Sequence, residues 1–348
     1  MTARAVKTSP ADYAYAFPKE LIAARPATPR DSSRLLAYDR AAQRVTEGHF
    51  RDLPDLLPPS SVLVLNETKV IPARLTLTKE DTGGQVRVLL LERDRRALAV
   101  MADRRLHTGQ LLRLTPLYRF RVLEYAQGTA RLEPLFERRR LARVLDAYGA
   151  APLPPYIKNP GLSPAVLRRR YQSVFAKHRG SVAAPTASLH FTPRLFARLK
   201  KKGIKVVKLT LHVGLGTFAP LTEKQLRTGR LHEESFVIPA AAARALNAAR
   251  RAGRPIIPVG TTTLRALESA ADRHGNIRAQ RGQTSLFIRE GYRFRVATGL
   301  VTNFHVPESS LMMLVAALVT RPRLLALYRL AVAHRYRLFS FGDAILIT

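Results

Sequence analysis

Six short segments combine small residues with groups able to bind a ligand or move a proton. Leu63-Val64-Leu65-Asn66-Glu67-Thr68-Lys69 ends an apolar run with an amide, a carboxylate, a hydroxyl and an ammonium. Gly180 through Thr192 is rich in small residues, which let a backbone approach a ligand closely, and it contains His190. That imidazole stands just before an expected helix N-terminus, where the dipole favours a neutral, basic ring. His212-Val213-Gly214-Leu215-Gly216-Thr217-Phe218 follows an expected strand, but no obvious helix starts after it, so the dinucleotide fingerprint is not met. Gly260-Thr261-Thr262-Thr263 puts free backbone N–H groups at a helix start, a natural anion site. Arg265 and Glu268 then stand one turn apart, the spacing of a helix-surface ion pair. Thr302-Asn303-Phe304-His305-Val306-Pro307 and Ser340-Phe341-Gly342-Asp343 complete the set. Imidazole is useful near neutral pH, although any one of these histidines taken alone is more often structural. No pair has metal-ligand spacing of the HExxH or carboxylate-cluster kind, and there is neither a GxSxG elbow nor a Walker loop.

The elements that must position these groups alternate. Thr192 can cap a helix that begins at Pro193 and ends at Gly203. Ile204 to Val213 reads as a strand with Leu209, Leu211 and Val213 on one face and Lys208, Thr210 and His212 on the other. A helix from Pro239 to Gly253, a strand Ile256–Val259, a helix through Leu264, Leu267 and Ala271, and a strand Gly299–Phe304 follow. Ser309 or Ser310 can cap the apolar helix Leu311–Val319. Tyr328–His334 reads as helix and Ala344–Ile347 as a closing strand. Such alternation predicts an α/β layer architecture. Between Ala73 and Leu135 the pattern changes to short strands, Arg74–Thr78, Gln85–Leu91, Ala97–Ala102, Leu111–Leu114, Phe120–Tyr125 and Thr129–Leu135, with turn signals at Thr82-Gly83-Gly84 and Gly128. No convincing helix interrupts them, which predicts a small β-barrel. The expected division is an α/β domain made of residues 1–72 and 152–348, interrupted by an inserted β-barrel domain of residues 73–151. Pro152-Leu153-Pro154-Pro155-Tyr156 is a stiff return linker.

Composition narrows the partners. Of 348 residues, 58 are basic and 25 acidic, a formal net charge of +33. A compact fold tolerates that self-repulsion best beside an anionic partner, and nucleic acid is the commonest. Arg138–Arg140 and Arg168–Arg170 have no helix-end explanation for their charge, unlike Lys200–Lys202, and are the RNA-contact candidates. The chain has no cysteine, so a disulfide framework and thiolate metal sites are excluded. Met1–Phe17 lacks an apolar signal-peptide core, and Leu311–Val319 is about half the length needed to span a bilayer. A soluble, cytoplasmic protein with no membrane partner is expected.

A longer series of segments carries a family resemblance. It runs through Arg30-Asp31-Ser32-Ser33-Arg34-Leu35-Leu36, Leu65 to Leu75 (Asn66-Glu67-Thr68-Lys69-Val70-Ile71-Pro72-Ala73-Arg74), Pro152 to Ile157, Arg170-Tyr171-Gln172-Ser173-Val174 and Gly180 to Thr192. It continues through Leu211 to Phe218, Val259 to Ser269, Thr302 to Leu314 and Tyr336 to Ile347. Over nearly its whole length the chain resembles the S-adenosylmethionine:tRNA ribosyltransferase-isomerases of queuosine biosynthesis. It departs from them at Glu67 and Thr298 (an aspartate is usual at 67 and at 298), at Ser188 (glycine) and at Phe341 (tyrosine). Arg168–Arg170 fills a commonly acidic stretch, and Met101–Gly109 matches poorly.

The resemblance implies that S-adenosylmethionine serves as ribosyl donor rather than methyl donor. The acceptor is the aminomethyl group of 7-aminomethyl-7-deazaguanine at the wobble position of tRNA. The product is epoxyqueuosine, adenine and methionine leave, and no metal is called for. A sulfonium acidifies the neighbouring C–H, so a positioned base can start the reaction, and transient charge needs fixed dipoles. The catalytic candidates are His212, which points off the apolar face of its strand beside Gly214, then His190, with Asp343 and His305. His232 lies in a charged, surface-like stretch. Substrate-binding candidates are Asn66, Thr68, Lys69, Arg74, Gly214, Gly216, Thr261, Thr262, Arg265, Glu268 and Asn303, with Arg265 suited to a carboxylate. RNA-binding candidates are Arg138, Arg139, Arg140, Arg168, Arg169 and Arg170. A monomer is expected. A non-catalytic RNA-binding protein on the same fold, or an S-adenosylmethionine enzyme acting on a small molecule, are the alternatives.

Overall fold

The computed structural model describes residues 9–93, 97–158, 160–214 and 221–348. Gly216, expected in the ligand loop, lies outside the described residues.

The strand Val62–Asn66 sits inside a five-stranded sheet of order Ile256–Pro258, Val62–Asn66, Lys205–Leu211, Arg230–Ile238, Gln280–Leu286. The first three strands are parallel and the last two pair antiparallel. Every residue of Val62–Asn66 is buried, as a parallel strand covered on both faces requires of its apolar run. Alternation divides it between two layers. Val62 and Val64 pack with Leu246 and Leu267 of the helices Ala240–Arg251 and Thr261–Ala270. Leu63 and Leu65 pack with Phe50 and with Leu195 and Leu199 of the helix Pro193–Lys201. Each such buried side chain contributes about 1.5–3 kcal/mol.

A second sheet has the order Leu300–Asn303, Ala344–Ile347, Arg34–Asp39, Arg44–His49. Arg34–Asp39 lies parallel to Ala344–Ile347, which ties an early segment to the last strand. A parallel bridge between Val259 and Val301 joins the two sheets. It sets the carboxyl ends of Ile256–Pro258 and Leu300–Asn303 side by side.

Six strands, Arg74–Lys79, Gln85–Arg93, Leu98–Ala102, Leu111–Thr115, Tyr118–Ala126 and Thr129–Pro134, close into a barrel. Their alternation turns Leu75, Leu77, Val86, Val88, Phe120 and Val122 inward. Gln127 and Gly128 take φ of 49° and 80°, the left-handed pair suited to a two-residue hairpin turn. The helix Leu141–Tyr148 lays Leu141 and Leu145 against the barrel core. The architecture is thus an α/β domain interrupted by a small β-barrel, as the element pattern predicts.

Helix ends follow the capping residues. The Leu195 N–H donates to the Thr192 hydroxyl at 3.1 Å, and Ser309 caps Ser310–Val319. The last helix differs from expectation: it begins at Arg321, not near Tyr328, because Pro322 sits in the first turn, where its missing N–H costs nothing. The antiparallel pair Arg230–Ile238 and Gln280–Leu286 was not expected. Its composition is polar, and only every second residue near its end, Glu234, Phe236 and Ile238, is buried. Among the described residues no single helix is long and apolar enough to cross a membrane.

Candidate active site

A cavity of about 530 Å³ opens beyond the carboxyl ends of Lys205–Leu211, Ile256–Pro258 and Leu300–Asn303. Open α/β sheets place ligands there, because the loops leaving parallel strands diverge at that edge. Its wall is mostly apolar, with Val213, Leu221, Phe304, Pro307 and Phe339 among the lining residues. The polar groups are few and concentrated.

Gly260 takes φ 89° and ψ 147°, a conformation essentially confined to glycine. It turns the chain directly from the strand Ile256–Pro258 into the helix Thr261–Ala270, so that Thr261 and Thr262 line the cavity at the helix start. One turn on, Arg265 is buried and forms a close ion pair with buried Glu234. Its Nε donates to the Leu286 carbonyl at 2.9 Å. Glu234 in turn accepts the Gly214 N–H at 3.1 Å, fixing the start of the glycine loop. Arg265 Nη2, Thr262 Oγ1 and Asn303 Oδ1 are all buried without a hydrogen-bond partner. A buried polar atom left unpaired costs about 1–3 kcal/mol. Three such atoms fall on residues lining one cavity, so unsatisfied polarity is concentrated at this wall.

His305 lines the same cavity. Its Nε2 lies 2.9 Å from the Thr302 hydroxyl. Its backbone is held twice: its N–H donates to the Tyr328 oxygen at 2.9 Å, and the Tyr15 hydroxyl donates to its carbonyl at 2.7 Å. Burial pushes the imidazole down to about 3, so the ring is neutral at physiological pH. His232, on the same strand as Glu234, also lines the cavity. The Tyr156 and Ser340 oxygens, 2.8 Å apart, close another side.

Of the residues singled out from sequence, Thr261, Thr262, Arg265, Asn303 and His305 line this cavity, and Gly214 touches it through Glu234. The others are placed elsewhere. His212 points away from Val213, which lines the cavity, and its Nδ1 lies 2.8 Å from the Thr68 hydroxyl. Gly180 packs against that ring so closely that a Cβ there would come within 2.8 Å of it. His190 is buried behind the site, stacked on Phe50 with ring centroids 4.7 Å apart. Its Nδ1 is 2.7 Å from the Ser33 hydroxyl and its Nε2 is 3.3 Å from the Asn303 amide. Burial, then the charges of Arg337 and Arg30, pushes it down to about 3.

Asn66 spends its amide on the backbone of Thr68 and Leu211. Asp343 accepts from the Arg34 and Arg337 N–H groups and pairs with the Arg337 guanidinium at 3.0 Å. Arg74 donates to the Leu153 carbonyl at 2.7 Å. The expected surface pair of Arg265 with Glu268 does not form. Both are buried, and Glu268 instead accepts the Arg295, Val296 and Ala297 N–H groups and the Tyr292 hydroxyl. A buried carboxylate takes the partners that fully satisfy it. Glu234 was missed. Its period-two spacing with Phe236 and Ile238 was the available signal.

Lys69, Arg168 and Arg169 line a second recess, apart from this cavity. Arg139 and Arg140 are both paired to Glu137, at 2.9 and 3.1 Å, and Arg138 approaches the Ala97 carbonyl at 3.4 Å. Contrary to expectation, Arg168–Arg170 do have a helix-end explanation: they form the last turn of the helix Pro164–Arg170, where the dipole favours cations. Among the described residues no group of three or more His, Asp or Glu side chains could hold a metal ion.

Comparison with known proteins gives the family. The family described as "Queuosine biosynthesis protein" matches residues 10–347. A Pelotomaculum thermopropionicum protein named S-adenosylmethionine:tRNA ribosyltransferase-isomerase is 45% identical, covering 97% of this chain and 98% of its own. A Gloeobacter violaceus protein of the same name is 47% identical over 96% of this chain and 94% of its own. A crystal structure of S-adenosylmethionine tRNA ribosyltransferase from Thermotoga maritima is 33% identical, covers 97% of this chain and all of its own, and superposes with a TM-score of 0.56. A match that runs through the barrel and the cavity-bearing sheets alike places this chain in the queuosine biosynthesis protein family.

Proposed function

We propose that this chain is an S-adenosylmethionine:tRNA ribosyltransferase-isomerase, and that the 530 Å³ cavity holds S-adenosylmethionine. The observation that carries the assignment is identity of 45% with a protein of that name along essentially the full length of both chains. We take the acceptor to be 7-aminomethyl-7-deazaguanine at the tRNA wobble position and the product epoxyqueuosine, with adenine and methionine released. The reading calls for no metal, a monomer and a cytoplasmic setting.

The cavity residues have matching chemistry. Arg265 offers a guanidinium, already oriented by Glu234, to the methionine carboxylate. The helix start at Thr261 and Thr262 adds N–H donors where negative charge collects. Asn303 and Thr262 line the cavity beside Arg265 and add polar side chains to that wall. For removal of a proton next to the sulfonium, His232 and His305 are better placed than His212, because both line the cavity; His232 comes first, since burial makes the His305 ring a weak base. His190 serves as a positioning residue through its contact with Asn303. The apolar lining excludes water, which strengthens each of these interactions.

The test uses purified protein, S-adenosylmethionine and tRNA carrying the aminomethyl precursor. Free adenine and a heavier wobble nucleoside should appear together, by chromatography and by mass spectrometry of the digested tRNA. An unchanged nucleoside with no adenine would refute the assignment.

A further inference from the structure

A second recess, of about 560 Å³, lies where the barrel meets the α/β layers. Its charged lining is Arg30, Lys69, Arg168, Arg169, Arg179 and Asp146, five cations to one carboxylate. Asp146 is committed to Arg179, 2.6 Å away. Arg168 donates to the Asp146 and Gly149 carbonyls at the end of the helix Leu141–Tyr148. Arg30 donates to the Gln172 and Leu189 carbonyls at 2.7 and 3.2 Å. Both are positioned by backbone oxygens, with no carboxylate to neutralise them among the described residues. Burial, then the nearby charge of Arg170, pushes the Arg30 guanidinium below its ordinary pKa. Among the described residues the Lys69 and Arg169 side chains have no ion-pair partner, and both are exposed.

Strand pairing sharpens the point. In the short parallel pair of Thr68–Val70 and His178–Ser181, Lys69 is the direct register partner of Arg179. Asp146 offsets the charge of Arg179, so of this register pair Lys69 is the cation left without a carboxylate among the described residues. Tyr171 lines both this recess and the proposed S-adenosylmethionine cavity. The return linker also runs from one to the other, with Pro152 in the recess and Tyr156 in the cavity.

We infer that this recess is the seat of the tRNA phosphates beside the modified nucleotide, with Lys69 and Arg169 bonding those phosphates directly. A backbone held there puts the next base across Tyr171 from the donor cavity. An enzyme acting on a nucleobase has to bring that base out of its stack, and phosphate contacts fix the register in which it is delivered. The inference rests on the proposal that tRNA is the substrate.

The experiment measures binding of an unmodified tRNA transcript across a salt series. It compares the wild-type protein with Lys69→Gln, Arg169→Gln, the double variant and Lys69→Arg. At about 0.1 M salt the double variant should bind about tenfold more weakly or worse. Its plot of log affinity against log salt should be shallower by roughly 0.7–0.9 for each phosphate no longer neutralised. Lys69→Arg should restore binding, and S-adenosylmethionine affinity by calorimetry should stay within about twofold in every variant. Steep salt dependence in the wild type with no change in the double variant would overturn the inference alone. No salt-dependent tRNA binding by the wild type would overturn the substrate proposal together with it.

Discussion

His305 and His232 share a cavity with Arg265 and Glu234, whereas His212 spends its Nδ1 on Thr68 outside it. His232→Ala should therefore lower turnover by about 10²–10⁴-fold, the usual loss when a general base is removed. Adenine release at saturating S-adenosylmethionine measures it. Turnover near wild type would pass the role to His305. Arg265→Lys keeps a cation beside Glu234 but loses the fork that fits a carboxylate. We expect its Michaelis constant for S-adenosylmethionine to rise about tenfold with a smaller change in turnover; an unchanged constant would remove Arg265 from the ligand. Arg265→Ala is the wrong variant, since it strands a buried carboxylate at a cost of about 3–5 kcal/mol. The two buried imidazoles also set a pH dependence. His190 and His305 are held down to about 3, below the roughly 6.5 of an unfolded histidine. Between those values the unfolded chain binds more protons, so stability is fully present above about pH 6.5 and is lost as pH falls. At about pH 5 each histidine costs about 2 kcal/mol. Urea midpoints should fall from about pH 7 to about pH 5, and less steeply in His190→Gln; equal slopes would contradict the assignment of His190.

Elements were legible in the sequence where a local rule decides them. The Thr192 and Ser309 caps, the left-handed turn at Gly128 and the apolar run Val62–Leu65 each impose their structure within a few residues. The cavity-lining segments at Thr261–Arg265 and Asn303–His305 were legible too, because they leave strands whose pattern is clear. What was not legible depends on tertiary pairing. The strand Arg230–Ile238 looks polar until Gln280–Leu286 pairs with it, and that pairing carries Glu234 and His232 into the site. The outward face of a strand likewise does not say which side borders the cavity, and it is Val213, not His212, that lines it. Thr298, where an aspartate was expected, bonds the Ile256 N–H and carbonyl and so fastens two segments. Phe341 packs edge-on to Tyr171 at 5.8 Å. At this scale Gly260 is the critical joint. Gly260→Ala should lower stability by about 1–3 kcal/mol and weaken S-adenosylmethionine binding by shifting the helix start. Calorimetry and urea unfolding read the two effects, and wild-type values for both would show that the joint tolerates a side chain.

Across the whole molecule, the +33 charge is unevenly matched by carboxylates. Arg139 and Arg140 share Glu137, whereas the recess at the barrel junction keeps an excess of cations. Reversing Arg139 and Arg140 should therefore weaken tRNA binding less than the paired loss of Lys69 and Arg169, in the same salt titration. We propose residues 73–151 as an inserted unit within an α/β unit formed by 1–72 and 152–348. Limited proteolysis that cuts first near both junctions would support the division, and first cuts inside the barrel strands would count against it. The central claim joins these scales: one cavity at the sheet ends binds the ribosyl donor. A crystal structure with S-adenosylmethionine tests it most directly. The account predicts density in the 530 Å³ cavity, with the methionine carboxylate on Arg265 and polar contacts to Thr262 and Asn303. Density inside the barrel, or against His212 with that cavity empty, would contradict it.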